Sequence, residues 1–203
     1  MSACFGEFRR DGRAVDDARL LAMAAAIPWY GKDGQGLYCQ ASIGLGVLRC
    51  YTTPESLHEL PIQIATGAQH ILAGNYRIDN RAELTQALAL SPPPNRPLTD
   101  AELILAAYGT WGKACGKHLI GDFALAIWDG AQQQLLLIRD QLGIAPLYYY
   151  PTAWGLIFAS DLRALAAHPE GPRELDPVAI LHHLRDRQYL LPTTAYLAGV
   201  RKL

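Results

Sequence analysis

Residues 121–160 read GDFALAIWDGAQQQLLLIRDQLGIAPLYYYPTAWGLIFAS. They hold four short runs, Gly121 to Trp128, Gln134 to Ile138, Pro146 to Tyr150 and Gly155 to Ser160, rich in aromatic and branched residues and divided by turn residues. Short runs so closely spaced read as consecutive antiparallel strands. Toward the N-terminus, His70 to Ile78, Gly44 to Tyr51 and Leu37 to Ser42 are bounded by Gly, Pro or Asn and read the same way, with residues 31–36 as a loop. Residues 3 to 8 alternate small or apolar with polar side chains and meet a turn at Asp11-Gly12, which predicts a first strand starting almost at the N-terminus.

Helical patterns lie between and after these groups. Asp16 and Asp17 can cap a helix carrying Leu20, Leu21, Met23 and Ala24 to Ile27, ended by Pro28. Asn80 to Leu90 has helical spacing, broken by Ser91-Pro92-Pro93-Pro94-Asn95. Thr99 or Asp100 caps a stronger helix with Leu103, Ile104, Ala107, Tyr108 and Trp111 on one face, and helices return at Asp161 to Ala167 and Asp176 to Arg187. Strands come in groups instead of alternating singly with helices, so the expected class is α+β, with layered antiparallel sheets and outer helices, not a doubly wound sheet.

The 203 residues, 50% apolar and 18% charged, suit one folded domain of ordinary size. A net charge of -1 without basic runs disfavours nucleic acid and membrane surfaces as partners. The longest apolar stretches fall short of the roughly 20 residues needed to span a bilayer. The N-terminus lacks a basic region followed by an apolar core, so the expected location is cytoplasmic. Cys4, Cys39, Cys50 and Cys115 form no Cys-x-x-Cys pair, which argues against a zinc site and a disulfide framework. His182 and His183 are neighbours about 100° apart on a helix and cannot chelate one metal from one face, so no metal site is expected. Phosphate-loop, nucleophile-elbow, His-Glu-x-x-His and EF-hand motifs are absent from the sequence. Phe123, Trp128, Tyr148, Tyr149, Tyr150 and Trp154 lack interleaved Lys or Arg and read as core rather than as base-stacking residues.

Three segments carry a resemblance: Gly121 to Asp129, Arg139 to Tyr148 (RDQLGIAPLY) and Phe158 to Leu165 (FASDLRAL). Together they resemble the glutaminase domain of asparagine synthetase, a class II glutamine amidotransferase of the N-terminal-nucleophile hydrolase superfamily. The resemblance runs the length of the chain and implies a four-layer αββα sandwich with two antiparallel sheets.

In that family the initiator methionine is removed and an N-terminal cysteine attacks the glutamine side-chain amide. Here the position is Ser2, a far weaker acid than a thiol, whose only built-in base would be its own α-amine. Cys4 lies two residues along and would need three residues trimmed to gain a free amine; as a free cysteine it reads as core. The resemblance assigns Arg49 to the glutamine α-carboxylate, Asp100 to its α-amine and Asn75 to the oxyanion hole. Asp100 reads equally well as a helix cap. Where the family has glycine then glutamate, this chain has Tyr76 then Arg77, replacing a slim backbone donor by a bulky residue and an amine-binding carboxylate by a cation.

Those departures, with the Thr52-Thr53-Pro54-Glu55-Ser56 and Ile78-Asp79-Asn80-Arg81 segments, resemble asparagine-synthetase-like enzymes such as lasso peptide macrolactam cyclases, in which a peptide N-terminus supplies the amine. Two readings follow: a degenerate glutaminase-like domain that docks a synthetase, or a working glutaminase with Ser2 as nucleophile. The expected organisation is a glutaminase-like domain over residues 1–190 and the start of a connection over 191–203 to a synthetase domain or separate synthetase subunit. No cofactor is expected in this chain; ATP and Mg belong to the absent domain, whose Ser-Gly-Gly-x-Asp-Ser loop these residues lack. The apolar run Tyr196 to Val200 with Ile180, Leu181 and Leu184 is expected to be exposed and to drive self-association.

Overall fold

A computed structural model describes residues 1–65, 70–185 and 195–203. In chain order the elements are β1 (Ala3–Arg9), α1 (Asp17–Ala25), β2 (Gly34–Gln40), β3 (Ile43–Arg49), β4 (Gln63–Ile64), β5 (His70–Ile78), α2 (Arg81–Ala87) and α3 (Asp100–Trp111). They continue with β6 (Gly121–Asp129), β7 (Gln134–Arg139), β8 (Tyr148–Thr152), β9 (Gly155–Ala159), α4 (Leu162–Ala167), α5 (Pro177–Arg185) and β10 (Arg201–Lys202). Single 3-10 turns at Glu55–His58 and Gly112–Lys117, and the two-residue β4, are too short to leave a periodic signal in the sequence.

The described residues divide into two compact units, each drawn from separated parts of the chain. One comprises Met1–Cys4, Tyr30–Gly36 and Val47–Ala145. It contains a four-stranded sheet in the order β4-β5-β6-β7. Here β5 and β6 pair antiparallel along their whole length, from His70 opposite Asp129 to Ile78 opposite Gly121. Successive strand residues face opposite sides. Accordingly Phe123, Leu125 and Ile127 join Leu72, Tyr76 and Ile78 in a core packed on Leu103, Ile104, Ala107 and Tyr108 of α3. Gly121 has φ +148°, and a Cβ there would lie 2.0 Å from the Arg77 carbonyl oxygen, so only glycine lets β6 start where it does.

The start of α3 is fixed by a capping box. The Glu102 amide donates to Thr99 Oγ1 at 3.2 Å, and the Thr99 amide donates to Glu102 Oε2 at 2.8 Å. Thr99 is thus the cap, and Asp100, the first helical residue, is left for other work. Hydrogen bonds from Arg96 hold the Glu102 carboxyl well below its ordinary range, at about 2, against the opposing effect of burial. A lowered carboxyl stabilises the fold above its ordinary value and loses that contribution as pH falls. Amide protection in the first turn of α3, taken relative to the intrinsic exchange rate at each pH, should therefore fall between pH 4.5 and about 2, and Glu102→Gln should remove that fall. Thr99→Ala should cost about 1 kcal/mol at neutral pH in urea denaturation.

The other unit comprises Phe5–Trp29, Leu37–Gly46 and Pro146–Leu203. Its strands belong to a six-stranded sheet ordered β10-β8-β9-β1-β3-β2, in which β1 pairs antiparallel with β9 and β9 with β8. Within this unit the fully buried Glu7 carboxylate meets His168 Nε2 at 2.8 Å and Arg19 at 3.5 Å.

Several expectations shift. The strand placed at residues 37–42 begins earlier, at Gly34. Glycines weaken the strand signal in a sequence, yet β2 is an edge strand, and Gly36 admits Pro61 so closely that a Cβ would lie 2.9 Å from its Cβ. The apolar run Tyr196 to Val200, expected to lie exposed, leads into the two-residue strand Arg201–Lys202. Val200 is buried, and the Asp176 amide bonds the Tyr196 carbonyl while the Ala198 amide bonds that of Glu174, so residues 196–198 are tied to the chain just before α5 instead of lying open. The helix expected from Asp176 starts at Pro177; its expected end at Arg187, and the boundary between residues 190 and 191, lie outside the described residues.

Candidate functional site

All the residues singled out for the site lie in the unit containing Val47–Ala145, and β5 is the ruler along which they are arranged. Arg49, the last residue of β3, is buried and donates from Nη1 to the Gly74 carbonyl at 3.3 Å. Asp100 accepts the Ile78 amide on Oδ2 at 3.1 Å. The ring of Tyr76, between them in sequence, stacks under the Arg49 guanidinium with 4.6 Å from its carbon to the ring centroid. Burial pushes the Tyr76 phenol up, and the Arg49 charge partly offsets this.

Both charged residues already have counter-charges from the chain. Arg49 forms an ion pair with Glu59, whose side chain is 1% exposed. The other oxygen of Glu59 accepts the Ala101 amide at 3.1 Å. Asp100 forms an ion pair with Arg81, the first residue of α2, and Arg81 also donates to the Leu98 carbonyl. Glu59 and Arg81 were not singled out from sequence.

Ser2 precedes β1 and is buried. Its hydroxyl donates to the Cys50 carbonyl at 3.2 Å and accepts the Cys50 amide at 3.0 Å. Two backbone groups hold the oxygen that would have to attack, and with Met1 in place the Ser2 nitrogen is a peptide nitrogen without basicity. Cys4 is fully buried in β1 with its thiol 3.7 Å from the Ala124 carbonyl.

A cavity of about 240 Å³ is lined by Met1, Thr52, Asn75, Tyr76, Arg77, Asp122, Ile144 and Ala145. Arg77 and Asp122 face each other across the β5–β6 ladder, and Arg77 pairs with Asp122 at 3.1 Å and with Asp79 at 3.0 Å. Hydrogen bonds to Asp79, then the Asp122 charge, raise the Arg77 pKa, so the cation persists at any working pH. The turn after β7 supplies Ile144 and Ala145. Their amides donate to the two Asp140 carboxylate oxygens at 2.8 and 2.9 Å, and together with further backbone hydrogen bonds they lower the Asp140 pKa despite burial. Gly143 closes this turn at φ +67°, where a Cβ would sit 2.5 Å from the Arg139 guanidinium.

The family model of the glutamine amidotransferase domain matches residues 1–203. The chain belongs to this family. Among curated relatives, this amidotransferase domain is 30% identical over 157 residues to asparagine synthetase [glutamine-hydrolyzing] 2 of Bacillus subtilis (strain 168), covering 77% of the chain and 21% of that protein. It is 29% identical over 179 residues to putative asparagine synthetase [glutamine-hydrolyzing] 2 of Methanocaldococcus jannaschii, covering 79% and 34%. The amidotransferase domain thus spans about a fifth to a third of the length of these relatives. Among solved structures, glutamine phosphoribosylpyrophosphate amidotransferase from B. subtilis shares the fold, with a TM-score of 0.64 at 16% identity, over 81% of the chain and 43% of that protein. The expected α+β class with two antiparallel sheets is borne out, as is the glutamine amidotransferase family, with asparagine synthetases among the similar proteins.

Elsewhere in the amidotransferase domain, His183 Nδ1 lies 3.0 Å from the Tyr196 hydroxyl. Among the described residues no group of three His, Cys, Asp or Glu side chains could hold a metal, and no helix is long and apolar enough to cross a membrane.

Proposed function

We propose that this amidotransferase domain belongs to an ATP-dependent amide-forming ligase, hydrolyses glutamine very slowly or not at all, and serves to dock and stabilise a synthetase domain. The observation that carries this reading is the internal neutralisation of Arg49 by Glu59 and of Asp100 by Arg81. These are the two residues that the family resemblance assigns to the charged end of glutamine. Ser2 held on the Cys50 backbone, and Tyr76 and Arg77 in place of glycine and glutamate, support the same reading. A ligase of the lasso peptide cyclase kind suits it: an amine supplied by a peptide's own N-terminus attacks an activated carboxyl, and ammonia is not needed.

In this reading residues 1–190 form the glutaminase-like domain and 191–203 begin the passage to a synthetase domain, which would bind ATP and magnesium. Leu175, Val178, Leu181 and Leu184, spaced by three and all exposed in and just before α5, offer an apolar stripe to that domain or to a second copy. The ligase would work in the cytoplasm.

A second reading, a working glutaminase, rests on Ser2 standing immediately before β1 with Arg49, Asn75 and Asp100 gathered along β5. Ammonia release from glutamine by the 203-residue chain, with its N-terminal residue determined, separates the two. The expected result is release at or near the uncatalysed background even when Ser2 is the free N-terminus. Efficient turnover by the unaltered chain overturns the proposal.

A further inference from the structure

A free α-amino acid presents one carboxylate and one ammonium close together, and a protein recognises that end with a cation and an anion set side by side. The family resemblance assigns these two parts to Arg49 and Asp100. The Glu59 carboxylate reaches Arg49 with one oxygen and the Ala101 amide, next to Asp100, with the other, so a single carboxylate joins the cation to the residue beside the anion. Both are taken. A carboxylate from the loop after the Glu55–His58 turn sits on the cation, and a guanidinium from the start of α2 sits on the anion. Tyr76 completes the closure: it lines the open cavity and stacks on Arg49, whereas none of the four charged residues lines that cavity.

We propose that Glu59 and Arg81 are a built-in substitute for the charged end of an amino acid, and that this self-occupancy closes the site to free glutamine. The inference rests on the reading of the chain as a degenerate amidotransferase and names the device that makes it so. Glu59 and Arg81 are tethered, and a tethered group competes at an effective concentration of millimolar or more. Free glutamine must displace both, and the Glu59 carboxylate, 1% exposed, has no aqueous position to move to without opening the loop. Exchange would trade one buried ion pair for another and strand a charge.

The test is glutamine binding by the 203-residue chain and its variants, followed by isothermal titration calorimetry. Glu59→Gln keeps the shape of the side chain and an acceptor for the Ala101 amide while removing the charge. Arg81→Gln acts at a side chain that is 28% exposed. The parent chain should show no saturable binding at millimolar glutamine, and the double variant should bind at least about tenfold tighter. A folded double variant that binds glutamine no better than the parent overturns the inference. Should Glu59→Gln fail to fold, Glu59→Ala measured in acetate and in chloride decides: recovery of a cooperative unfolding transition in acetate alone supports an open carboxylate seat on Arg49, and no recovery overturns it. Ammonia release is followed in the same samples. Release by the parent only well above millimolar glutamine, with tighter binding by the double variant, sinks the proposed function and leaves the inference standing, because the site is then chemically competent yet closed at millimolar glutamine. A silent parent that binds glutamine as tightly as the double variant does the reverse.

Discussion

Arg49→Met is expected to destabilise the chain by about 3–5 kcal/mol. The side chains of Arg49 and Glu59 are 3% and 1% exposed, so removing the guanidinium leaves a carboxylate with neither counter-charge nor water, and the fold must strand it or open a route to solvent. Glu59→Met should cost a similar amount for the mirror reason, with the Ala101 amide losing its acceptor as well. The double variant Arg49→Met with Glu59→Met should cost far less than the sum. It leaves no buried charge, only the Gly74 carbonyl and the Ala101 amide short of a partner, at about 1 kcal/mol each. Urea denaturation of the four proteins with a shared m-value gives the coupling directly. A cost below about 1 kcal/mol for Arg49→Met would mean that Glu59 swings into water when released, and the pair would then be a latch with little hold.

The same pair shows where reading the sequence stops. Strands such as β5 were legible to the residue, because Gly, Pro and Asn punctuate both ends of His70–Ile78. β2 was misjudged at its start because glycine at an edge strand carries no strand signal, although the chain's approach to Pro61 needs it. The two compact units, each assembled from separated segments, answer to no composition shift along the chain. In the site, Arg49, Asn75 and Asp100 could be marked only through the family resemblance. Glu59 and Arg81 sit in a loop and at a helix start, where charged residues are ordinarily solvated. Burial of Glu59 comes from packing against the start of α3, some forty residues on, which local pattern cannot report. The cap that the sequence left open between Thr99 and Asp100 falls to Thr99 through its capping box with Glu102, which frees Asp100 for the ion pair with Arg81.

Ser2→Cys on a chain lacking Met1 is expected to leave glutamine hydrolysis at least about 100-fold below what the same change yields when combined with Tyr76→Gly, Arg77→Glu, Glu59→Gln and Arg81→Gln. The cysteine supplies what serine lacks, a thiol of ordinary pKa about 8.5 beside an α-amine of about 7.7 to 8.0. It does nothing for the rest. The Cys50 backbone groups that hold the Ser2 hydroxyl remain in place to hold the thiol. Tyr76 still stacks on Arg49, the charged end of glutamine still meets Glu59 and Arg81, and Arg77 still presents a cation at the cavity. Loss of one oxyanion donor alone costs on the order of 100- to 1000-fold, and residues that act as a unit give non-additive effects, so the combined variant should exceed the product of the separate gains. Steady-state ammonia release measures the series, with kcat and KM taken apart: Glu59→Gln and Arg81→Gln should act through KM, Ser2→Cys and Tyr76→Gly through kcat. A Ser2→Cys chain that turned over glutamine as fast as the combined variant would show that the nucleophile alone separates this domain from a working glutaminase. The paired charges at Arg49 and Asp100 would then be a feature of the resting site that glutamine readily displaces.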